Sequence, residues 1–134
     1  MNHFDDIGKL VLRLSVGILL LMHGLFKLMH GIAGISALVQ ANNWPVWIAY
    51  GVFIGEIIAP ALLILGLFTR AGAAVIVVNM IVAVYLAHGH QLFHLTKSGG
   101  WLLELQGLYL FGALAIALLG AGRFSVGGAR GRMN

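Results

Sequence analysis

The stretch from Leu10 to Met29, LVLRLSVGILLLMHGLFKLM, decides the fold class of this chain. It is long and apolar enough to cross a bilayer, which takes about 20 helical residues. Inside it, however, lie the ionisable side chains of Arg13, His23 and Lys27. An ionisable group at membrane depth costs on the order of 2.5 to 3.5 kcal/mol on insertion scales. These side chains must therefore turn away from lipid, toward partners that other helices supply.

One face of this predicted helix combines polar side chains with glycines. At a turn of about 100° per residue, its polar and small residues fall within an arc of roughly 140°. They are Arg13, Gly17, His23, Gly24, Lys27, His30 and Gly31. The remaining positions are Leu, Val, Ile, Met and Phe, which can face lipid. The glycines on the polar face predict close packing against a second helix.

The composition extends this interpretation to the whole chain. Of its 134 residues, 60% are hydrophobic and 9% are charged, and the mean hydropathy is +0.98. A soluble domain carries about 25% charged residues. The sequence therefore predicts an all-α integral membrane protein, a four-helix bundle that forms one domain over residues 1–134. Its net charge of +4 comes from scattered Lys and Arg, so the bilayer is the expected partner and nucleic acid is not.

Four apolar segments are predicted to span the membrane, at about residues 9–30, 48–68, 71–88 and 101–121. The glycine-rich tail that follows them is expected to be mobile at its end. Most Lys and Arg fall on one side of this arrangement, and only Lys27 and Lys97 fall on the other. The positive-inside rule then predicts that both termini are cytoplasmic. The basic residues on the cytoplasmic side are Lys9, Arg13, Arg70, Arg123, Arg130 and Arg132.

Ionisable groups converge in the predicted outer half of the bundle. A rise of about 1.5 Å per residue places Lys27 and Glu104 near the outer surface and Glu56 near the middle, with His23 between them. In one interpretation these groups only hold helices together: Lys27 pairs with Glu104, and Glu56 pairs with His23 or Asn79. In the other they form a site, because carboxylates and histidine suit the two carbonyls and the protons of a quinone headgroup.

Histidines near the third predicted span allow two further sites. His88, His90 and His94 are weak candidates for a metal site, with His90 and His94 one turn apart if that segment is helical. A haem would need two axial ligands at one depth, and only His23 and His88 are candidates. The chain has no cysteine, which excludes disulfides and thiol ligands of its own.

Four separated blocks resemble the DoxX family of small bacterial inner-membrane proteins. The first is Arg13 followed by HGLFK at 23–27, and the second is GEIIAPALLILGLFTR at 55–70. The others are GGWLLELQGLYL at 99–110 and LLGAGRFSV at 118–126. The resemblance implies a four-helix membrane bundle, and the name-giving member of the family is a subunit of a thiosulfate:quinone oxidoreductase.

The resemblance also implies a membrane subunit of a redox system, with an oxidoreductase partner and a quinone or similar small ligand. The predicted catalytic residues are Glu56, Glu104 and His23. The predicted ligand-binding residues are Lys27, Arg13, Asn79, His88 and Arg123. The competing functions are a small transporter and a structural adaptor without chemistry of its own, and small-residue faces leave a homo-oligomer open.

Overall fold

The computed structural model of the chain describes residues 2–134. The all-α prediction is confirmed: within these residues five helices form, and the only β-type pairing is an isolated bridge between Leu95 and Trp101. The helices are α1 His3–His30, α2 Ala33–Ala41, α3 Val46–Leu65, α4 Thr69–Gln91 and α5 Glu104–Leu119.

Three of these helices, α1, α3 and α4, are long and apolar enough to cross a membrane. The fourth apolar helix, α5, has 16 residues and is shorter than the segment predicted at about 101–121. At its start, Trp101 is held in the preceding loop by its bridge with Leu95. At its end, Gly120 takes a φ of 78°, which stops the helix. Large apolar side chains remain exposed on the bundle surface, as a lipid-facing protein requires.

Both α3 and α4 depart from regular α-helical geometry, α3 in its middle and α4 near its C-terminal end. In α3 the backbone is π-helical over Ile54–Ile58, and in α4 it is π-helical over Val84–His88. Pro60 explains the first irregularity, because it has no N–H to donate to the Glu56 carbonyl and its ring pushes that carbonyl aside. A π turn adds a residue to the helix and often marks a functional site.

The four long helices contact one another in a ring, α1 with α3, α3 with α4, α4 with α5, and α5 with α1. The hydrophobic core fills the half of this ring that carries the chain termini, which we call the terminal half. The core residues are Val16, Leu20, Ala59, Leu63, Ala73, Ile76, Met80, Tyr109, Ala113 and Ile116. The opposite half, which carries α2 and residues 89–103, is the loop half.

The tail, whose end is predicted to be mobile, folds back across the terminal half and is hydrogen-bonded there. Val126 and Gly127 donate their N–H groups to the carbonyls of Leu65 and Gly66, both at 3.0 Å. The side-chain oxygen of Asn134 accepts hydrogen bonds from the N–H and the hydroxyl of Thr69, at 3.3 and 3.0 Å. The tail therefore satisfies carbonyls that the end of α3 would leave unpaired.

At the other end of the bundle, α2 covers the loop half. Val39 is buried, and its carbonyl accepts a hydrogen bond of 3.0 Å from the N–H of Trp44. The Trp44 ring stacks on Tyr85 of α4, with ring centroids 5.8 Å apart. These contacts hold the connection between α1 and α3 across the loop end of the ring.

Candidate ligand cavity in the loop half

The loop half contains a partly open cavity of about 430 Å³ to which all five helices contribute. Its floor is formed by Leu20, Met80 and Tyr109, which are also the upper members of the hydrophobic core. Most of the remaining wall is apolar. The polar side chains in the wall are His23, Lys27, Glu56, Asn79, His88, Gln106 and Tyr109.

The strongest polar contact in the wall is an ion pair between Lys27 and Glu56, with 2.5 Å from Nζ to Oε2. The side chain of Glu56 is 6% exposed and that of Lys27 is 29% exposed. The predicted pairing of Lys27 with Glu104 is therefore wrong, and so is that of Glu56 with His23 or Asn79. Helical side chains lean toward the N-terminus of their own helix, and α1 and α3 are antiparallel. The side chains of Lys27 and Glu56 therefore lean toward each other, so their charged groups meet although their Cα atoms lie at different depths in the bundle.

Close approach of the two backbones makes this ion pair possible. The Glu56 carbonyl, displaced by Pro60, lies against the Cα of Gly24, so that a Cβ on Gly24 would collide with it. Gly17, two turns earlier, meets Ile64 and the Pro60 carbonyl in the same way. The predicted close packing of these two glycines is confirmed. Gly31, in contrast, has open space around it and a φ of 86°, so it ends the helix instead.

His88 joins α4 to α5 across the cavity wall. Its Nδ1 lies 2.9 Å from Oε1 of Gln91, and its Nε2 lies 3.5 Å from Nε2 of Gln106. Because an amide nitrogen only donates, this arrangement makes Nε2 the acceptor and puts the proton on Nδ1. Both ring nitrogens are therefore occupied by protein contacts, which leaves none free as an axial haem ligand in this arrangement.

Two further contacts hold polar groups in the wall. The His23 ring meets the edge of the Tyr109 ring, with centroids 5.9 Å apart. The Asn79 side chain packs against Gly55 of α3, and its Nδ2 finds no hydrogen-bond partner among residues 2–134.

Sequence reasoning missed Gln106 and Tyr109 as wall residues. Their positions three residues apart on one helix face were the available signal.

Glu104 lies outside the cavity wall. Its side chain is exposed at the first residue of α5, where a carboxylate oxygen approaches the Gly100 position. The loop histidines also remain apart from one another: His90 lies in a short 3₁₀ turn and His94 lies beyond it, so they are not one α-helical turn apart. In the described part of the chain no group of His, Asp or Glu side chains is arranged to hold a metal ion.

The two predicted arginine ligands lie in the terminal half, away from the cavity. Arg13 is 1% exposed, and its Nη2 donates a hydrogen bond of 2.6 Å to the Phe124 carbonyl of the tail. The main-chain N–H of Arg123 donates to the carboxylate of buried Asp6 at 3.1 Å, while the Arg123 side chain is exposed. The structure therefore brings Lys27, His23, Glu56, Asn79 and His88 together, and separates Glu104, Arg13 and Arg123 from them.

Fold and cavity together define a small membrane-embedded helical bundle with a ligand-sized space in one half. The DoxX family model matches residues 8–89, more than half of the chain, from α1 to the end of α4. The chain therefore belongs to the DoxX family, which confirms the family that the sequence resembles; the first two of its four sequence blocks lie inside the match. The match includes the Lys27–Glu56 pair and ends before Glu104. No curated protein and no solved structure matches the chain.

Proposed function

We propose that this DoxX-family protein is the membrane subunit of a redox system and that it binds a quinone headgroup in the loop-half cavity. The observation that carries the proposal is the Lys27–Glu56 ion pair in the wall of a space of about 430 Å³. Ligand sites typically measure about 300–1,000 Å³ and combine apolar walls with a few placed polar groups. A planar headgroup with two carbonyl oxygens fits that combination.

The residues of the wall supply hydrogen bonds and protons. Lys27 donates to a carbonyl oxygen and stabilises negative charge that develops there. The Lys27–Glu56 pair and His23 each exchange one proton with one of the two oxygens. Reduction of a quinone to a quinol consumes two protons and two electrons. In this proposal the protons come from these side chains, and the electrons come from the reduced flavin, haem or iron–sulfur group of a partner oxidoreductase.

Two packing observations favour this function over its competitors. A transporter needs a path to both sides, but the hydrophobic core fills the terminal half below the cavity. A purely structural adaptor gains little from a buried ion pair, since apolar side chains of similar volume are often as stabilising. The six basic residues of the terminal half also support a bacterial inner-membrane location with both termini cytoplasmic.

The test is to purify the protein in native lipid and measure bound quinone by mass spectrometry and absorption. We expect about one quinone per chain, and loss of it in Glu56→Gln, which keeps the shape of the side chain. Asp5→Asn, an exposed acid-to-amide change in the terminal half, is the matched control and should retain the quinone. The proposal fails if wild-type protein neither retains a quinone nor takes one up from quinone-doped lipid.

A further inference from the structure

The exposed parts of the cavity wall differ in polarity from one side to the other. On the side of α1 and α5 the wall carries His23, Lys27, Gln106 and Tyr109, and His23 is exposed. On the side of α3 and α4 the polar wall residues Glu56, Asn79 and His88 are not exposed. Between α3 and α4 the cavity wall is formed by Gly51, Ile54, Val75 and Val78, all of which are also exposed at the bundle surface. Ile54 is 52% exposed and Val78 is 60% exposed. The apolar side of the cavity is therefore continuous with the lipid-facing surface.

Three other directions offer no comparable run of exposed apolar wall residues among residues 2–134. Toward the loop end, α2 lies over the cavity with Ile35 and Val39 in its wall. Toward the terminal end, the floor residues join the packed core. Between α1 and α5, the exposed His23 ring contacts the buried Tyr109 ring, which places an imidazole in that gap. Hydrocarbon has no favourable partner there.

From this division we infer that the ligand is a lipid-soluble amphiphile that reaches the cavity sideways from the bilayer, with its apolar chain passing between α3 and α4 over Gly51. The inference rests on the proposed function, because it takes the headgroup to bind beside Lys27 and Glu56. A Cβ built on Gly51 meets no atom within 4 Å, so there is room beside this residue. Gly51, Ile54, Val75 and Val78 then form the chain passage.

Gly51→Trp tests the chain passage directly. Gly51 has a φ of −60°, which any residue adopts, so the indole fills the passage without straining the backbone. The probes are a decyl-substituted benzoquinone and the same benzoquinone without the chain, both in nanodiscs and both dosed as mole fraction of lipid. We expect the affinity for the decyl compound to fall about tenfold or more, and that for the chainless compound to change less than about twofold.

Gly34→Trp is the matched control, because Gly34 is exposed on α2, has open space around it and does not line the cavity. It should leave both affinities unchanged. Val78→Trp blocks the same passage from α4 and should reproduce the effect of Gly51→Trp. Unchanged decyl binding in both passage variants would overturn the inference.

Photo-crosslinking on the wild-type protein tests the inference even if the tryptophan variants fail to fold. A benzoquinone with a diazirine midway along its chain should label α3 and α4 near Ile54 and Val78. Labels confined to α1 and α5 would contradict the inference while leaving the headgroup site intact. If neither benzoquinone binds the wild-type protein, the proposed function itself fails, and the two failures are thereby distinguished.

Discussion

Arg13 in the terminal half and Glu56 in the loop half are charged and almost completely buried in this bundle, as is Asp6 in the terminal half. Arg13 and Glu56 are 1% and 4% exposed, respectively. Arg13 donates to one carbonyl of the tail, and its Nε and Nη1 have no hydrogen-bond partner among residues 2–134. Glu56 has a full counter-charge on Lys27 and faces a cavity. The two side chains are therefore buried to a similar extent, but only Glu56 can be reached by a ligand in the cavity.

The contrast shows that a buried charge identifies a candidate site only when a ligand has space to reach it. Ionisable residues inside membranes are functional candidates by default. In the terminal half, however, the tail and the core enclose Arg13, so its observed contact supports a role in fastening the tail. In the loop half, the π turn of α3 and the glycine of α1 place Glu56 at the edge of an open volume.

The largest effect that we predict is on the terminal half, where Gly66→Ala should lower the free energy of unfolding by about 2–5 kcal/mol. A Cβ on Gly66 would collide with the Arg13 guanidinium and with Ser125. Overpacking of this kind costs about 1–3 kcal/mol, and the φ of 72° at Gly66 adds about 1–2 kcal/mol for a residue other than glycine. Equilibrium unfolding in mixed micelles measures the change.

Gly128→Ala is the matched control for this substitution. Gly128 also has a positive φ, of 68°, but a Cβ there meets nothing within 4 Å. Gly128→Ala should lower the free energy of unfolding by only about 1–2 kcal/mol, the contribution of the backbone conformation. Equal losses in the two variants would mean that the Arg13 guanidinium moves aside freely and is not tightly enclosed.

A smaller effect is predicted in the loop half, where Lys27→Met leaves Glu56 without its counter-charge. Breaking a fully buried pair costs about 3–5 kcal/mol. We expect about 2 kcal/mol here, because Lys27 is 29% exposed and solvent at the loop end screens part of the interaction. The double variant with Glu56→Gln should recover most of this loss, since no buried carboxylate then remains unpaired.

Lys97→Met removes an exposed lysine from the same end of the bundle and is the control for net charge. It should leave the unfolding free energy unchanged. If Lys27→Met also leaves the unfolding free energy unchanged, the ion pair with Lys27 does not stabilise the buried carboxylate of Glu56.

The sequence predicted the fold class because lipid imposes a simple rule on composition and on segment length. Leu10–Met29 alone required a helix in lipid with polar partners, and Gly17 and Gly24 marked its contact face. It did not predict the short α5, because nothing in the composition around Trp101 distinguishes a helix end from a loop. Nor did it predict the docked tail, whose hydrogen bonds join residues far apart in the chain, such as Thr69 and Asn134.

For the candidate cavity, the sequence located polar wall residues better than it predicted their contacts. Five of the eight residues proposed from the sequence line the cavity, because charge at membrane depth is easy to locate. The predicted partner of Lys27 was wrong because the prediction compared only the depths of residues along the helix axes. It did not include the direction in which the side chains lean. Gln106 and Tyr109 were missed because both are common at interfaces and in packed cores. Only the helix arrangement around the cavity distinguishes them.

The smallest predicted effect is that of Glu104→Gln. The sequence predicts the same proton-exchanging role for Glu104 and Glu56, but the structure places them differently. Glu104 is exposed at the start of α5 and does not line the cavity, whereas Glu56 does. Glu104→Gln should therefore leave stability and quinone affinity unchanged within error, while Glu56→Gln abolishes binding. Isothermal titration with the decyl benzoquinone in nanodiscs compares them directly. If Glu104→Gln weakens binding as much as Glu56→Gln, the functional site includes the exposed start of α5. The ligand would then contact the loop end of the bundle as well as the cavity.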